Sequence, residues 1–285
     1  MRKIRALRIL LATFFLLAVT ACFLDFTGVA ARWFGWTVKL QLMPAALALG
    51  ASAVAIVVVT LLFGRVYCSV VCPLGLLQDV AIFFRRVAVR LFLRRRAAAG
   101  ARGVSPVACG GARLRNMVRY AIAAVFFAGG FLGLHFSWLE PYAIYGRMAA
   151  SLAAPAVRHG NNQLALWAER HGSYMFQAVE VVMPPLCMVV VSAALLALIL
   201  ALAVWKGRFW CNTVCPVGTV LGCISRVSLL RPKIDPAKCV RCGLCEKACK
   251  AQSIDVASGK IDLTTCVACF DCGAACGKGA LKWSR

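Results

Sequence analysis

Long apolar runs alternate with short polar stretches along the chain up to about residue 230. Four of these runs are long enough to cross a bilayer, which takes about 20 apolar residues per helix. They are residues 7–24, 42–63, 118–136 and 179–205. The last run contains Pro184 and Pro185, and because proline removes a backbone donor we expect a kink there. The pattern predicts an α-helical membrane protein with four transmembrane helices.

The polar stretch between the second and third runs begins with a different pattern. Its apolar residues recur at helical spacing over residues 74–93, with arginines between them. One apolar face and one basic face are typical of a helix that lies in the membrane interface. We therefore predict an interfacial helix here.

A twelve-residue pattern, Gly-Arg-x-aromatic-Cys-x-x-Val-Cys-Pro-x-Gly, occurs twice, at residues 64–75 and 207–218. Each copy follows the second helix of a predicted pair, so we interpret the membrane part as two repeated hairpins. Both copies fall on the same predicted side, which makes them parallel repeats about an axis near the membrane normal. Proline disfavours helix at the residue before it, so Cys72 and Cys215 are predicted to end a turn before a new helix.

The composition supports a membrane location and excludes one common partner. The chain is 62% hydrophobic, which is too apolar for an ordinary soluble domain. Its 33 Lys and Arg against 10 Asp and Glu would suggest nucleic-acid binding by a soluble domain, but the basic residues lie mostly between and after the apolar runs. We therefore expect topology signals and contact with anionic lipid of the bilayer, and no nucleic-acid partner.

The basic residues also give an orientation. They are concentrated at the N-terminus, between the second and third runs and after the fourth, whereas 25–41 and 137–178 are less basic and are predicted to be outer loops. The positive-inside rule places both termini of this multi-pass protein on the cytoplasmic side of a bacterial inner membrane. The first residues also resemble a signal peptide cleaved before Cys22, but apolar residues continue past Cys22, so we favour an uncleaved anchor.

Eight of the 16 cysteines form two strings with the spacing C-x2-C-x2-C-x3-C. In bacterial two-cluster ferredoxins the fourth cysteine of each string ligates the other cluster. We therefore assign one [4Fe–4S] cluster, cluster 1, to Cys239, Cys242, Cys245 and Cys276. Cluster 2 is assigned to Cys266, Cys269, Cys272 and Cys249. Structural zinc is the alternative, but zinc sites use C-x2-C pairs separated by a longer gap.

The two strings predict a small α+β ferredoxin-like domain over 231–285, which follows a membrane domain over 1–230. Lys250 and Gly277 stand where the ferredoxin pattern usually has proline, so the sequence leaves the local turn and the reduction potential undefined. Because thiolate ligands need reducing conditions, we expect the clusters on the cytoplasmic side.

The repeated motifs supply four further cysteines, Cys68, Cys72, Cys211 and Cys215. Their thiols would converge if the repeats pack about a common axis, and four soft ligands suit a further cluster or another metal. Structural or redox-active thiol pairs are the equally weighted alternative. The remaining cysteines lack a matching spacing and are interpreted as buried structural residues. They are Cys22, Cys109, Cys187 and Cys223.

Three ionisable residues on the predicted outer side are candidates for a quinol site: His135, Glu140 and Glu180. Quinol oxidation releases two protons, and ionisable groups near membrane helices are functional candidates. A polar cap without a function is the alternative for each of them.

The repeated cysteine motifs after helices two and four, followed by a double ferredoxin motif, resemble the NapH-type membrane quinol dehydrogenase subunit of periplasmic nitrate reductase systems. Ferredoxin-type proteins of methylamine utilisation and NosR-type membrane proteins are similar. The resemblance implies an iron–sulfur electron-transfer protein that oxidises membrane quinol and passes electrons to a partner iron–sulfur protein, cytochrome or reductase. A maturation or redox-sensing factor for another metalloenzyme is the alternative.

Overall fold

The computed structural model describes residues 1–42, 50–97, 112–131, 139–173 and 175–284. The first half contains α1 (Arg2–Leu24), α2 (Val29–Lys39), α3 (Ala51–Phe63), α4 (Tyr67–Val70), α5 (Pro73–Ala97) and α6 (Ala112–Phe131). Then come α7 (Pro141–Met148), a π turn (Ala149–Ala153), α8 (Ala154–Arg170), α9 (Leu186–Lys206), a second π turn (Trp210–Val214) and α10 (Pro216–Ser225). The C-terminal part contains β1 (Arg231–Ile234), α11 (Leu244–Ala248), β2 (Ile254–Asp255), β3 (Lys260–Ile261), α12 (Asp271–Ala275) and β4 (Leu281–Ser284).

Within the described residues, two helices, α1 and α9, are long and apolar enough to span a membrane. The apolar helices α3 and α10 and the apolar part of α6 are shorter. Residues 43–49 and 132–138, which belong to the second and third predicted runs, lie outside the described residues. The mostly helical architecture is therefore confirmed, whereas four transmembrane helices in two repeated hairpins stay a prediction.

The expected kink at Pro184 and Pro185 is wrong. Helix α9 begins at Leu186, with Pro185 as its N-cap, and the residues before it are not helical. Two consecutive prolines lack the N–H groups that continue a helix, and proline is tolerated without strain only in a first helical turn. The pair therefore marks the start of the helix.

The two stretches predicted to be outer loops are largely helical, which corrects that prediction. The first contains α2, which follows a turn where the Asp25 carboxylate accepts hydrogen bonds from the backbone N–H of Thr27, Gly28 and Ala31. This helix returns along α1, and Trp36 stacks on Phe14 with ring centroids 6.1 Å apart. Thr37 is the buried residue of this helix, whereas Trp33 and Trp36 are exposed.

The second of these stretches contains α7 and α8, joined by the π turn. Glu140 is the N-cap of α7 and Pro141 is its first residue. A capping side chain followed by proline is a helix start signal, which the charge-based prediction of a loop ignored. On α8, the Asn162 side chain exchanges two hydrogen bonds of 2.8 Å with the backbone of Val179, which follows the helix.

The helix predicted over 74–93 is confirmed as α5, although its place in a membrane interface stays a prediction. It begins at Pro73, as the sequence indicates. Arg86 on this helix donates a hydrogen bond of 2.9 Å to the Ala248 carbonyl oxygen in the C-terminal part. Helix α5 therefore lies against the ferredoxin-like region as well as against the membrane helices.

The C-terminal part has the predicted mixture of short helices and strands. Strands β1 and β4 pair antiparallel, with Arg231 opposite Ser284 and Ile234 opposite Leu281. Strands β2 and β3 form a second antiparallel pair. Each cysteine string ends in a short helix, α11 or α12, and each helix follows a residue in the left-handed region, Gly243 or Phe270. The two halves of this domain therefore have equivalent backbones.

Candidate functional site

The two repeated motifs exchange contacts through their arginines. Arg65 of the first motif donates a hydrogen bond of 3.2 Å to the Cys211 carbonyl oxygen of the second. In return, Arg208 donates one of 2.6 Å to the Cys68 carbonyl oxygen. Both arginine side chains are fully buried. Because each arginine contacts the first cysteine of the other copy, the two motifs face each other through reciprocal contacts.

The glycine that ends each motif makes room for this contact. A Cβ atom on Gly75 would lie 2.5 Å from the Cys68 carbonyl oxygen. A Cβ atom on Gly218 would overlap the Cys211 carbonyl oxygen and press on the Arg65 guanidinium group. Only glycine leaves each carbonyl oxygen accessible to the arginine of the opposite copy, because any side chain would displace the backbone.

The structure brings the four repeat thiols together, in what we call the repeat centre (Cys68, Cys72, Cys211 and Cys215), and buries all four. Burial raises the pKa of Cys72 well above its ordinary value, and the charges of the other three thiolates raise it further. Burial and the neighbouring thiolates Cys211 and Cys68 likewise raise the pKa of Cys215. Thiols crowded in this way ionise only beside a compensating cation, which a bound metal supplies.

Two hydrogen-bond donors contact thiols of the repeat centre, and two further buried donors belong to the same motif as Cys211 and Cys215. The Gln78 side chain donates to the Cys211 Sγ atom at 3.2 Å, and the Gly218 N–H donates to the Cys215 Sγ atom at 3.3 Å. Within the described residues, Trp210 Nε1 and Arg208 Nη2 are buried donors that have no partner. Donors to sulfur stabilise thiolates and bridging sulfides, so this donor set is chemically suited to an iron–sulfur cluster.

The second cysteine of each motif lies at a helix N-terminus, as predicted. Helix α5 begins directly after Cys72, and α10 begins directly after Cys215, which is its N-cap. The partial positive charge at a helix N-terminus favours a thiolate. The proline in each motif produces this placement because its fixed φ angle suits the first helical position.

The ferredoxin-like part groups its cysteines crosswise around two cavities. One cavity of ≈ 390 Å³ is lined by all four cysteines assigned to cluster 1, including Cys276 from the second string. A second cavity is lined by the four assigned to cluster 2, including Cys249 from the first string. Burial raises the pKa of Cys266 to about 12 and that of Cys269 to about 11, so these thiols also need a cation to ionise.

Buried apolar contacts connect the three groups of cysteines in the order repeat centre, cluster 2 set, cluster 1 set. Cys72 and Cys215 of the repeat centre share an apolar core with Cys269 of the cluster 2 set. Cys272 of the cluster 2 set shares a second apolar core with Cys245 and Cys276 of the cluster 1 set. The cluster 2 cavity therefore lies between the repeat centre and the cluster 1 cavity.

An ionic junction fastens the ferredoxin-like part to the membrane part. Asp79 on α5 lies 2.8 Å from Arg208, 3.1 Å from Lys250 and 3.3 Å from Arg8. Lys250 also contacts Asp271 at 3.1 Å, and its carbonyl oxygen accepts the Arg208 N–H. Burial alone would raise the pKa of Asp79, but the charges of Arg208 and Lys250 hold it well below its ordinary value.

Sequence reasoning missed Asp79, although it noted Lys250 as a departure from the ferredoxin pattern. The available signal was an acidic residue within an arginine-rich amphipathic helix. The structure explains the departure, because Lys250 follows the ligand candidate Cys249 and reaches two carboxylates across the junction.

The quinol-site candidates are not brought together. His135 lies outside the described residues. The Glu140 carboxylate is buried and accepts hydrogen bonds from the Tyr142 and Ala143 N–H groups at 3.1 and 2.6 Å. Glu180 is exposed before α9, and the described part of the chain shows no contact between it and Glu140. Burial raises the pKa of Glu140.

The cysteines without a motif are not all buried, which corrects their interpretation. Cys187 and Cys223 are exposed, Cys22 is half-buried, and Cys109 lies outside the described residues. All fifteen cysteines that the structure describes are free thiols. In the same residues, no group of three or more His, Cys, Asp and Glu side chains is placed to hold a single metal ion.

Two family models for 4Fe-4S binding domains match the chain. One matches twice, at residues 45–91 and 188–236, and thus covers both repeated motifs. The other matches residues 231–254, which contain the first cysteine string. The double match therefore supports the sequence repeat and its iron–sulfur character.

Curated relatives extend this similarity. The ferredoxin-type protein NapH of Haemophilus influenzae is 25% identical over 210 residues, which are 73% of this chain and 55% of that protein. An uncharacterised protein of Methanocaldococcus jannaschii is 47% identical over 58 residues, 20% of this chain and 24% of that protein. The chain thus spans about half of the length of the NapH protein and about a quarter of the length of the archaeal protein. No solved structure matches it significantly.

These comparisons confirm the resemblance to NapH-type ferredoxin-type 4Fe-4S proteins.

Proposed function

We propose that this ferredoxin-type protein oxidises membrane quinol and relays the electrons through iron–sulfur clusters to a partner redox protein. The observation that carries the proposal is the continuous buried path from the repeat centre through the cluster 2 cavity to the cluster 1 cavity. Electron transfer needs redox centres in close succession, and a protein that only anchored a ferredoxin would not need thiols within its membrane part.

We further propose the ligands. Cys239, Cys242, Cys245 and Cys276 hold cluster 1, and Cys266, Cys269, Cys272 and Cys249 hold cluster 2. The crosswise cavities support both sets. The four thiols of the repeat centre hold a third cluster, because the family match covers both motifs and hydrogen-bond donors contact two of the thiols. When bound, [4Fe–4S] clusters supply one-electron transfer.

The first test is a count of bound iron and sulfide after anaerobic purification of the full chain. Three clusters require about twelve irons and two require about eight, given four irons per cluster. We expect about twelve, falling to about eight in Cys72→Ser and Cys215→Ser. Cys187→Ser, an exposed thiol on α9, is the matched control and should leave the count unchanged. A wild-type count near eight would contradict a cluster at the repeat centre.

For the quinol side, we propose Glu140 rather than Glu180 as the proton acceptor. Glu140 is buried, whereas Glu180 is exposed. A buried carboxylate with a raised pKa accepts a proton more readily than an exposed one. The burial and the raised pKa of Glu140 are the observations that support this choice.

Quinol-driven reduction tests this part of the proposal. We expect quinol to reduce the clusters of the wild-type protein, as followed by absorbance and electron paramagnetic resonance. Glu140→Gln should slow reduction by quinol about a hundredfold, within the usual range for a lost general base. Reduction by dithionite should not change. Glu140→Asp, which keeps an N-cap, should retain part of the rate, and Glu180→Gln should retain all of it. Failure of quinol to reduce any cluster would contradict the function.

The bacterial inner membrane and the cytoplasmic position of the clusters belong to the same proposal. The two helices long enough to span a bilayer and the similarity to NapH support a membrane protein. The start of α1 and the end of α9 lie near the cysteine cavities. These two helix ends carry basic residues, Arg8 and Lys206 among them. The positive-inside rule assigns such ends to the cytoplasm.

A further inference from the structure

The cluster 1 cavity is the outermost of the three candidate centres. The repeat centre and Cys269 are enclosed in the shared apolar core. By contrast, Cys242 in the cluster 1 set is exposed. Electrons that enter through the membrane part would therefore leave at this end of the path, where the protein meets solvent.

The surface around this cavity has an apolar centre. Val240 and Leu244 line the cavity beside the exposed Cys242, and they are 64% and 51% exposed. Neither residue contributes to the buried core, so their apolar surface remains in contact with solvent. Exposed apolar side chains beside a redox centre are typical of the middle of a protein–protein contact.

The rim of the same surface is basic. Lys238 and Lys278 are exposed and line the cavity, and Arg241 and Lys247 are exposed close to its cysteines in sequence. Over residues 236–247, Glu246 is the acidic residue among the exposed side chains. Four cations around an apolar centre favour association with a negatively charged surface, because complementary charge steers diffusional encounter.

We propose that this surface is the docking site for an acidic soluble redox protein. We call it the cluster 1 face, and it consists of Lys238, Val240, Arg241, Leu244, Lys247 and Lys278. The inference rests on the proposed function and adds the kind of partner. One electron leaves the reduced cluster and one is gained by the oxidised centre of the partner, so no bond or proton is exchanged. Anionic lipid is the competing occupant, but it accepts no electron.

The test uses the full chain in nanodiscs of neutral lipid, with an acidic two-cluster ferredoxin as the probe. We measure the dissociation constant by surface plasmon resonance and the rate of electron transfer from the dithionite-reduced protein by stopped flow. Affinity should fall as ionic strength rises. Lys278→Glu should weaken binding about tenfold, and Lys238→Glu with Lys278→Glu should weaken it further. A basic c-type cytochrome should bind weakly to the wild-type protein and more tightly to the double variant.

Lys260→Glu is the matched control, because Lys260 is exposed on the β2–β3 hairpin and lines neither cavity. It makes the same change in charge and should leave the affinity unchanged. Equal effects of Lys278→Glu and Lys260→Glu would overturn the docking site. An effect of Lys278→Glu that appears only as altered contact with nanodiscs of anionic lipid would assign the surface to lipid and would also overturn it. Because dithionite supplies the electrons, these results do not depend on quinol oxidation, which quinol-driven reduction tests separately.

Discussion

The membrane part and the ferredoxin-like part are both duplicated, and each connects its two copies crosswise through different groups. In the ferredoxin-like part the fourth cysteine of each string lies at the cavity of the other string. In the membrane part each motif contributes two cysteines to the repeat centre, and each also sends an arginine to the other copy, to Cys211 or Cys68.

The crossed cysteines and the crossed arginines therefore have different roles. A crossed cysteine is a ligand candidate, so a bound metal would add to the β1–β4 pairing and the apolar core that already join the ferredoxin-like halves. A crossed arginine bonds to a backbone carbonyl oxygen, so the repeats are held together by the protein itself. The repeat centre should therefore keep its shape without iron, whereas the ferredoxin-like halves should loosen when iron is removed.

Replacement of either crossed cysteine by serine should have the largest effect, which is the loss of one cluster. Cys276→Ser should remove about four irons and the signal of cluster 1, although Cys276 belongs to the second string. Cys249→Ser should remove cluster 2 in the same way. Iron counting with electron paramagnetic resonance checks both. Loss of the cluster held by the residue's own string in either variant would contradict the crosswise ligand sets.

Removal of a crossed arginine should have the next largest effect. Arg208→Ala leaves the buried Asp79 without its closest cation, at 2.8 Å, and breaks the contact with the Cys68 carbonyl oxygen. Removing one partner of a buried ion pair costs about 3–5 kcal/mol. Chemical unfolding in detergent, with and without iron, measures the loss. An exposed arginine, Arg241→Ala, should change stability by less than about 0.5 kcal/mol.

The motif glycines should show a smaller loss of stability. Gly218→Ala places a Cβ against the Cys211 carbonyl oxygen and the Arg65 guanidinium group. Overpacking of this kind costs about 1–3 kcal/mol. Gly160→Ala on α8, where a Cβ would meet nothing within 4 Å, should be neutral or stabilising. Equal unfolding midpoints for the two variants would show that Gly218 is not needed for the contact between Arg65 and the Cys211 carbonyl oxygen.

The smallest expected effect is the pH dependence of the stability that Asp79 contributes. The cations around Asp79 lower its pKa in the folded protein, so its stabilising effect is present above the unfolded pKa of about 3.9 and is lost only as pH falls through the folded value. The difference in Tm between the wild-type protein and Asp79→Asn should therefore stay constant from about pH 8 to about pH 5. A difference that shrinks over this interval would show that the carboxylate titrates there.

Local rules predicted the parts of the site that depend on neighbours in sequence. Pro73 and Pro216 fix the starts of α5 and α10 because proline sets its own φ angle. The crosswise cavities also follow the pattern of the cysteine strings. The ionic junction could not be predicted, because Asp79 pairs with residues 129 and 171 positions away. Helices α2 and α7 were missed because a criterion based on bilayer length treats shorter apolar helices as loops.

The contact between Arg5 and Asp271 has a consequence for how the chain folds. These two residues are 266 positions apart, and they join the N-terminal turn of α1 to α12 at a distance of 2.7 Å. During synthesis α1 leaves the ribosome long before α12 exists. The basic N-terminal end of α1 therefore lacks this partner until Asp271 has been made. Contacts of such long range are formed late and slowly because they close a large loop. The order of synthesis therefore makes the docking of the iron–sulfur part on the first helix a final step of folding.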